Sequence, residues 1–329
     1  MHYSTLLPVL AAALVAAAPV EQRDVATDFN SPPGGDVTIL NYALTLEYLE
    51  RKFYQEGLAN YSQADFVAAG FADPFYANLQ EIYYDEETHV SFLAGALKTA
   101  AVHEATYSFP STDVASFVAL SSVLEGVGVS AYLGAAAAIA DKSYLTIAGS
   151  ILTVESRHSS YIRAALKESP FPKPFDTPLD FNEVYSLAAQ FITGFAPGDP
   201  ALPFKAFPAL TLQPSQYPYT AGSSSVTFTH AYKNALAANL ITADESVYAV
   251  FFSGLDTYYV KTYVTKGNSG DLKISSLPGP SATQLAPTGQ VYVVLSTADG
   301  VSSKVSDENT VSGVGILEVN PVGQRTGVF

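Results

Sequence analysis

Cysteine and tryptophan are absent from this chain, methionine occurs once, and histidine occurs five times in 329 residues. Without cysteine there is neither a disulfide framework nor a thiolate metal site, so any metal must be held by oxygen and nitrogen. Exported domains often carry disulfides, but a chain of this length can bury enough apolar surface without them. Positive charge is also scarce: 16 Lys and Arg stand against 31 Asp and Glu, for a net charge of -15. That balance argues against nucleic-acid binding, which needs a basic footprint, and against adsorption to anionic lipid. Long apolar runs are missing beyond the N-terminus. The most apolar stretch, Val127 to Ala140, is bracketed by Glu125 and Asp141 and is too short for a bilayer core, so no membrane insertion is expected.

The chain is 48% hydrophobic, enough for a sizeable core, and its length suits two domains. Leu6 to Val15 is an apolar run followed by the small residues Ala16, Ala17 and Ala18, which reads as an export signal over 1–18. Residues 19–35 then form an extended lead-in or pro-segment rich in Pro and Gly near its end. The expected location is outside the cell or in its wall. Asn60-Tyr61-Ser62 is an N-glycosylation sequon.

Apolar residues recur at helical spacing through the next part. The pattern predicts helices over about 36–58, 74–99, 113–139 and 142–167, with a short helical turn near Gln63 to Ala69. Gly35-Asp36 can cap the first helix and Ser111-Thr112-Asp113 the third. The proline-rich string Ser169 to Pro174 stops the fourth. A fifth, shorter helix is expected from Leu179 to Ile192 with Asp180 as its cap. Past residue 195 the character changes. Val226–Thr229, Val247–Phe252, Tyr258–Val260, Gln290–Leu295 and Ile316–Val319 are β-branched and aromatic, with turns at Gly267 to Gly270 and Asp299-Gly300. The expected organisation is an all-α four-helix bundle with its fifth helix over 36–195, a linker over 196–210, and an all-β immunoglobulin-like sandwich over 211–329.

The helices carry an internal repeat. Glu47 is followed by Tyr54 and then by Glu86-Glu87-Thr88-His89; Glu125 is followed by Tyr132 and then by Glu155-Ser156-Arg157-His158. Positions three apart on a helix are neighbours, so each Glu-x-x-His can aim a carboxylate and an imidazole at one point. Glu47 and Glu125 each add a carboxylate from another helix. Four carboxylates and two imidazoles on four helices form the ligand set of a carboxylate-bridged pair of metal ions, with Glu86 and Glu155 spanning both. Hard oxygen with borderline nitrogen suits two Fe or two Mn. Glu50 also lies on the inward stripe and competes with Glu47 for the ligand position. Seven residues return to nearly the same helix face, so Tyr54 and Tyr132 are candidates to hydrogen-bond the carboxylates of the opposite hairpin. The plainer reading of each tyrosine alone is a core residue with a satisfied hydroxyl.

Ile39-Leu40-Asn41-Tyr42-Ala43-Leu44-Thr45-Leu46-Glu47-Tyr48-Leu49-Glu50, Asp176-Thr177-Pro178-Leu179 and the tail Gly289 to Leu295 with Asp307 to Val311 resemble a fungal secreted branch of the ferritin-like superfamily. Proteins of that branch are described as glucose-repressed stress-response or late sexual development proteins, distantly akin to plant desiccation-related proteins. The resemblance implies a ferritin-like bundle and a di-metal site at Glu47, Glu86, His89, Glu125, Glu155 and His158. It implies no settled activity. Catalase-like or other redox chemistry with peroxide or dioxygen is one expectation. The other is a non-enzymatic surface protein of stress or development, with a structural or vestigial metal site and a β-module that docks to wall polymer or a protein partner.

The remaining candidates have bland readings. Glu87 is expected to be solvated, and His103-Glu104 to be a surface pair. His230 reads as structural or exposed, and Arg157 as a partner of a helix-face carboxylate or of an inward Glu50.

Overall fold

The structure, a computed structural model, describes residues 29–213, 218–265, 269–282 and 284–320. The export-signal reading over 1–18 lies outside the described residues, as does part of the turn expected at Gly267-Asn268.

Four long helices form the N-terminal bundle: α1 (Asp36–Asn60), α3 (Phe75–Leu97), α4 (Val114–Ala135) and α5 (Lys142–Ala165), with the short α2 (Gln63–Ala68) between the first two. α1 packs chiefly on α3, and α4 on α5. Asp113 starts α4 by a reciprocal cap, its carboxylate accepting from the Ser116 N–H at 2.7 Å. Asp36 does something other than the expected capping. It lies inside α1, and its carboxylate accepts from the N–H groups of Ala140 and Asp141 at 2.9 and 2.8 Å, pinning the joint between α4 and α5 to the start of α1. Asp141 in turn caps α5 through the Ser143 N–H.

The fifth helix is shorter than expected. α6 runs only from Phe181 to Ala188, capped by Asp180 through the Glu183 N–H at 2.7 Å. The chain then tightens, Gln190 and Phe191 donating to the carbonyls of Leu187 and Ala188. Ile192–Gly194 leaves as an extended strand (β2) that pairs with Thr106–Tyr107 (β1), in keeping with its β-branched Ile-Thr pair.

The C-terminal half holds β3 (Thr211–Leu212), β4 (Tyr219–Thr220), β5 (Val226–Thr229), β6 (Tyr248–Ser253), β7 (Asp256–Lys261), β8 (Tyr263–Val264), β9 (Leu272–Ile274), β10 (Gly289–Ser296) and β11 (Gly315–Asn320), with α7 (Ala231–Ala237) after β5. They form a five-stranded sheet in the order β4-β11-β10-β6-β7 and a four-stranded sheet in the order β3-β5-β9-β8. Pairing is antiparallel except for β11 with β4. Sequence periodicity does not reveal α7, whose Ala231 and Ala235 are buried one turn apart.

The larger sheet is covered on both faces. Val291, Val293 and Leu295 of β10, with Ala249 and Phe251 of β6, point into the sandwich core. Tyr292 and Val294, with Val250 and Phe252, join the core of the bundle. Double burial explains why these strands read as unbroken apolar runs. Each fully buried Phe here is worth roughly 1.5–3 kcal/mol of apolar transfer. Polar bolts cross the same junction. Arg163 of α5 grips Glu318 of β11 with two bonds of 2.8 and 2.7 Å. Tyr292 donates to the Gly126 carbonyl of α4 at 2.7 Å, and Gln290 to the Val123 carbonyl at 3.2 Å.

α4 therefore sits between bundle and sheet. With its short extension to Ala138 it is long and apolar enough to cross a membrane by length and composition, which corrects the expectation of a short apolar stretch. Most of that apolar surface is already buried inside the protein. The one charged residue in α4 is Glu125.

Candidate metal centre

A charged residue inside so apolar a helix needs a partner, because an isolated buried carboxylate costs several kcal/mol. Glu125 finds its partners in the middle of the bundle. Glu47 of α1, Glu86 and His89 of α3, and Glu155 and His158 of α5 converge there, all buried, the four carboxylates at most 1% exposed.

Nδ1 of His89 lies 3.1 Å from Glu47 Oε2, 3.2 Å from Glu86 Oε2 and 3.5 Å from Glu155 Oε1. Nδ1 of His158 lies 3.2 Å from Glu86 Oε1 and 3.3 Å from Glu125 Oε2. The ligand atoms fall into two groups, each with all its members within 4.8 Å of one another: Glu47, Glu86, His89 and Glu155, and Glu86, Glu125, Glu155 and His158. Glu86 and Glu155 belong to both groups.

Several of these atoms have no hydrogen-bond partner: Glu86 Oε1, Glu125 Oε2, both oxygens of Glu155, and Nδ1 of His158. Buried polar atoms are almost always paired. Here the orphans are lone-pair donors aimed into shared spaces, and the donor set of carboxylate oxygens and imidazole nitrogens fits hard and borderline cations. Even with both imidazoles protonated, the buried carboxylates outnumber the positive charges.

The electrostatics follow from that crowding. Burial pushes the Glu86 carboxyl up, but the close imidazoles of His158 and His89 outweigh it and hold it down to about 2. Burial alone would lower both imidazoles; the facing carboxylates reverse this, raising His89 to about 10 and His158 to about 11. Burial raises Glu47 to about 7 against the opposing His89 bond. Glu155 and Glu50 are pushed well above the usual carboxylate range by burial first and then by neighbouring carboxylates, Glu86 foremost.

The two tyrosines cross over. Tyr54 of α1 donates its phenol proton to Glu125 Oε1 on α4, and Tyr132 of α4 donates to Glu47 Oε1 on α1. Each hairpin thus orients the terminal carboxylate of the other.

Four helices bringing single carboxylates and two Glu-x-x-His motifs to one buried point define a ferritin-like bundle. Residues 35–168 match the ferritin-like domain family, a span that holds all four long helices and all six converging residues. The bundle is a ferritin-like domain. Among known proteins, the chain is similar to Protein rds1 of Schizosaccharomyces pombe (strain 972 / ATCC 24843), 25% identical over 194 residues, or 59% of this chain and 48% of that protein. The chain spans about half the length of that curated relative.

Other residues depart from their sequence reading. Glu47 and Glu50 are both buried, so the choice between them is not one of inward against outward; Glu47 meets His89, and Glu50 lies toward α4. Arg157 is on the exposed face of α5, away from the buried Glu50. His103 and Glu104 do not pair with each other: His103 Nδ1 meets Asp199 at 2.6 Å, and Glu104 meets Arg51 at 2.6 Å. Glu87 is exposed. His230 begins α7 on the surface, its backbone N–H donating to Asp271 at 2.7 Å. Helical periodicity misses Asp85, whose Oδ2 stands 3.1 Å from His158 Nε2. It sits one residue off the Glu86 stripe, about 100° around the helix.

Proposed function

We propose that this protein is an exported metalloprotein that holds two Fe or two Mn ions bridged by Glu86 and Glu155, and that it reacts with peroxide or dioxygen. The observation that carries the reading is the membership of those two carboxylates in both ligand groups, with one histidine for each group. Glu47 and His89 would serve one ion, Glu125 and His158 the other. Such a pair of ions, when bound, supplies two-electron redox change at one site.

The protein's own residues prepare that site. Tyr54 and Tyr132 orient the terminal carboxylates through buried hydrogen bonds. Asp85 accepts from Nε2–H of His158, so Nδ1, on the inward side, is the nitrogen that would give up its proton and ligate. The surrounding aromatic core, including Phe53, Phe66 and Phe117 packed ring on ring, keeps bulk water out. Export is supported by the apolar N-terminal run and by exposure of Asn60, which makes the sequon accessible to glycosylation.

The test is elemental analysis of protein purified after Fe or Mn supplementation, paired with hydrogen peroxide consumption. Two ions per chain and turnover lost in Glu86→Ala and His158→Ala are the expected results. Two bound ions with no turnover in wild type would favour the structural role, and no bound ion would end the proposal.

A further inference from the structure

Glu50 follows Glu47 by three residues and shares its face of α1. The position three after Glu125 in α4 is Gly128. A Cβ at 128 would lie 3.0 Å from Glu50 Oε1 and 2.9 Å from Glu155 Oε2. Glu50 therefore fills space that the glycine leaves, and its carboxylate comes within about 6 Å of that of Glu155. The repeat is broken here: one hairpin contributes a fifth buried carboxylate, the other a notch to receive it.

A cavity of about 200 Å³ opens beside Glu50, at the junction of bundle and sheet. Its walls include Leu46 of α1, Val127 of α4, Ala188 of α6, Leu210 ahead of β3, and Ile316 of β11. Glu50 is the one charged side chain among the described residues that line it. Cavities of roughly 150 Å³ lined by aliphatic and aromatic side chains stay dry and accept benzene or xenon. This one is somewhat larger and partly open, with one carboxylate, Glu50, and one amide, Gln190, in an otherwise apolar lining, a combination that fits an apolar body with one hydroxyl.

We propose that the cavity binds a small uncharged aromatic alcohol of phenol size, its ring among Leu46, Val127, Ala188 and Ile316 and its hydroxyl on Glu50. The sheet thereby supplies one wall of a site that faces the bundle's centre, which gives the C-terminal half a part in ligand selection. Use of the ligand in redox chemistry rests on the metal reading above; binding does not.

The test is ligand-observed saturation-transfer NMR on the full, metal-free chain, with phenol as probe and benzene as comparison. Wild type should bind phenol. Ala188→Phe and, from the sheet side, Ile316→Phe should each weaken binding at least tenfold while circular dichroism stays unchanged. If one filled variant does not fold, the other carries the test. Glu50→Leu should weaken phenol more than benzene. No saturation transfer to phenol in wild type, or equal transfer in the folded filled variants, would overturn the proposal. Metal content measured on the same preparations separates the two readings: phenol binding without metal uptake sinks the metal centre alone, and two ions without phenol binding sinks this site alone.

Discussion

Asp85 holds the outer nitrogen of His158 at 3.1 Å, and nothing equivalent is available to His89 by the internal repeat. Asp85 precedes Glu86 in α3; the residue that precedes Glu155 in α5 is Val154. A carboxylate behind a ligating imidazole fixes its tautomer and raises its basicity. The two halves of the candidate centre are thus inequivalent, and on the proposed metal reading the His158 side should be the stronger.

Asp85→Ala should lower affinity at the His158 side about 10–100-fold, the usual effect of losing such a partner. The measurement is a chelator titration followed by metal analysis. Wild type should release its ions in two steps. The variant should release both together or in reversed order, and an unchanged titration would show that Asp85 has no hold on the site.

Gly128→Ala places a methyl group 2.9 Å from Glu155 Oε2 and 3.0 Å from Glu50 Oε1. Both oxygens must give way slightly. They end flexible side chains, so the cost falls toward the low end of the ~1–3 kcal/mol of core overpacking, but it acts on a candidate bridging carboxylate. The expected outcome is a folded protein with a lower midpoint in urea and less than two ions per chain. Full metal content in the variant would show that the notch is unimportant.

The long helices and their six converging residues were legible because charges recurring at helical spacing inside apolar segments have few bland explanations. Tyr54 and Tyr132 were legible for the same reason, since seven residues bring a side chain back to one face. Asp85 was hidden because it lies off that face and meets His158 only through the packing of α3 on α5. Gly128 carries no chemistry of its own and gains meaning only beside Glu50. The sheet's strands could be read from their composition, but their apolar runs do not say what covers the second face; the structure shows that the bundle does. α7 was missed because seven residues are too few for periodicity to distinguish from a loop.

Tyr54→Phe and Tyr132→Phe remove the phenols that bind Glu125 and Glu47. Each should destabilise the metal-free protein by about 1–3 kcal/mol, because a buried carboxylate oxygen loses its donor. Because each tyrosine serves the opposite hairpin, the effects should not be confined to the helix that carries the mutation. Hydrogen exchange should speed up in α4 for Tyr54→Phe and in α1 for Tyr132→Phe. Faster exchange only around the mutated residue would argue against the crossover as a stabilising device.

Protons and metal ions compete for the same atoms, and the direction of that competition is fixed by the shifted groups. His89 and His158, raised from the ordinary imidazole value to about 10 and 11, stabilise the metal-free fold fully below pH about 6.5 and cease to do so as pH rises through those values. Glu47, raised to about 7, loses its contribution as pH rises from about 4.5 through 7. Glu86, lowered to about 2, contributes above pH about 4.5 and is lost only as pH falls through 2. The metal-free protein should therefore lose thermal stability steadily on going from pH 5 to 9. Metal ligation requires Nδ1 of both imidazoles unprotonated, so loading at pH 7 should release about two protons per chain from them. The Tm difference between Mn-loaded and metal-free protein should widen with pH over pH 6 to 8. Calorimetric titration in buffers of different ionisation enthalpy counts the protons directly. Release of none would mean that the histidines are not the ligands.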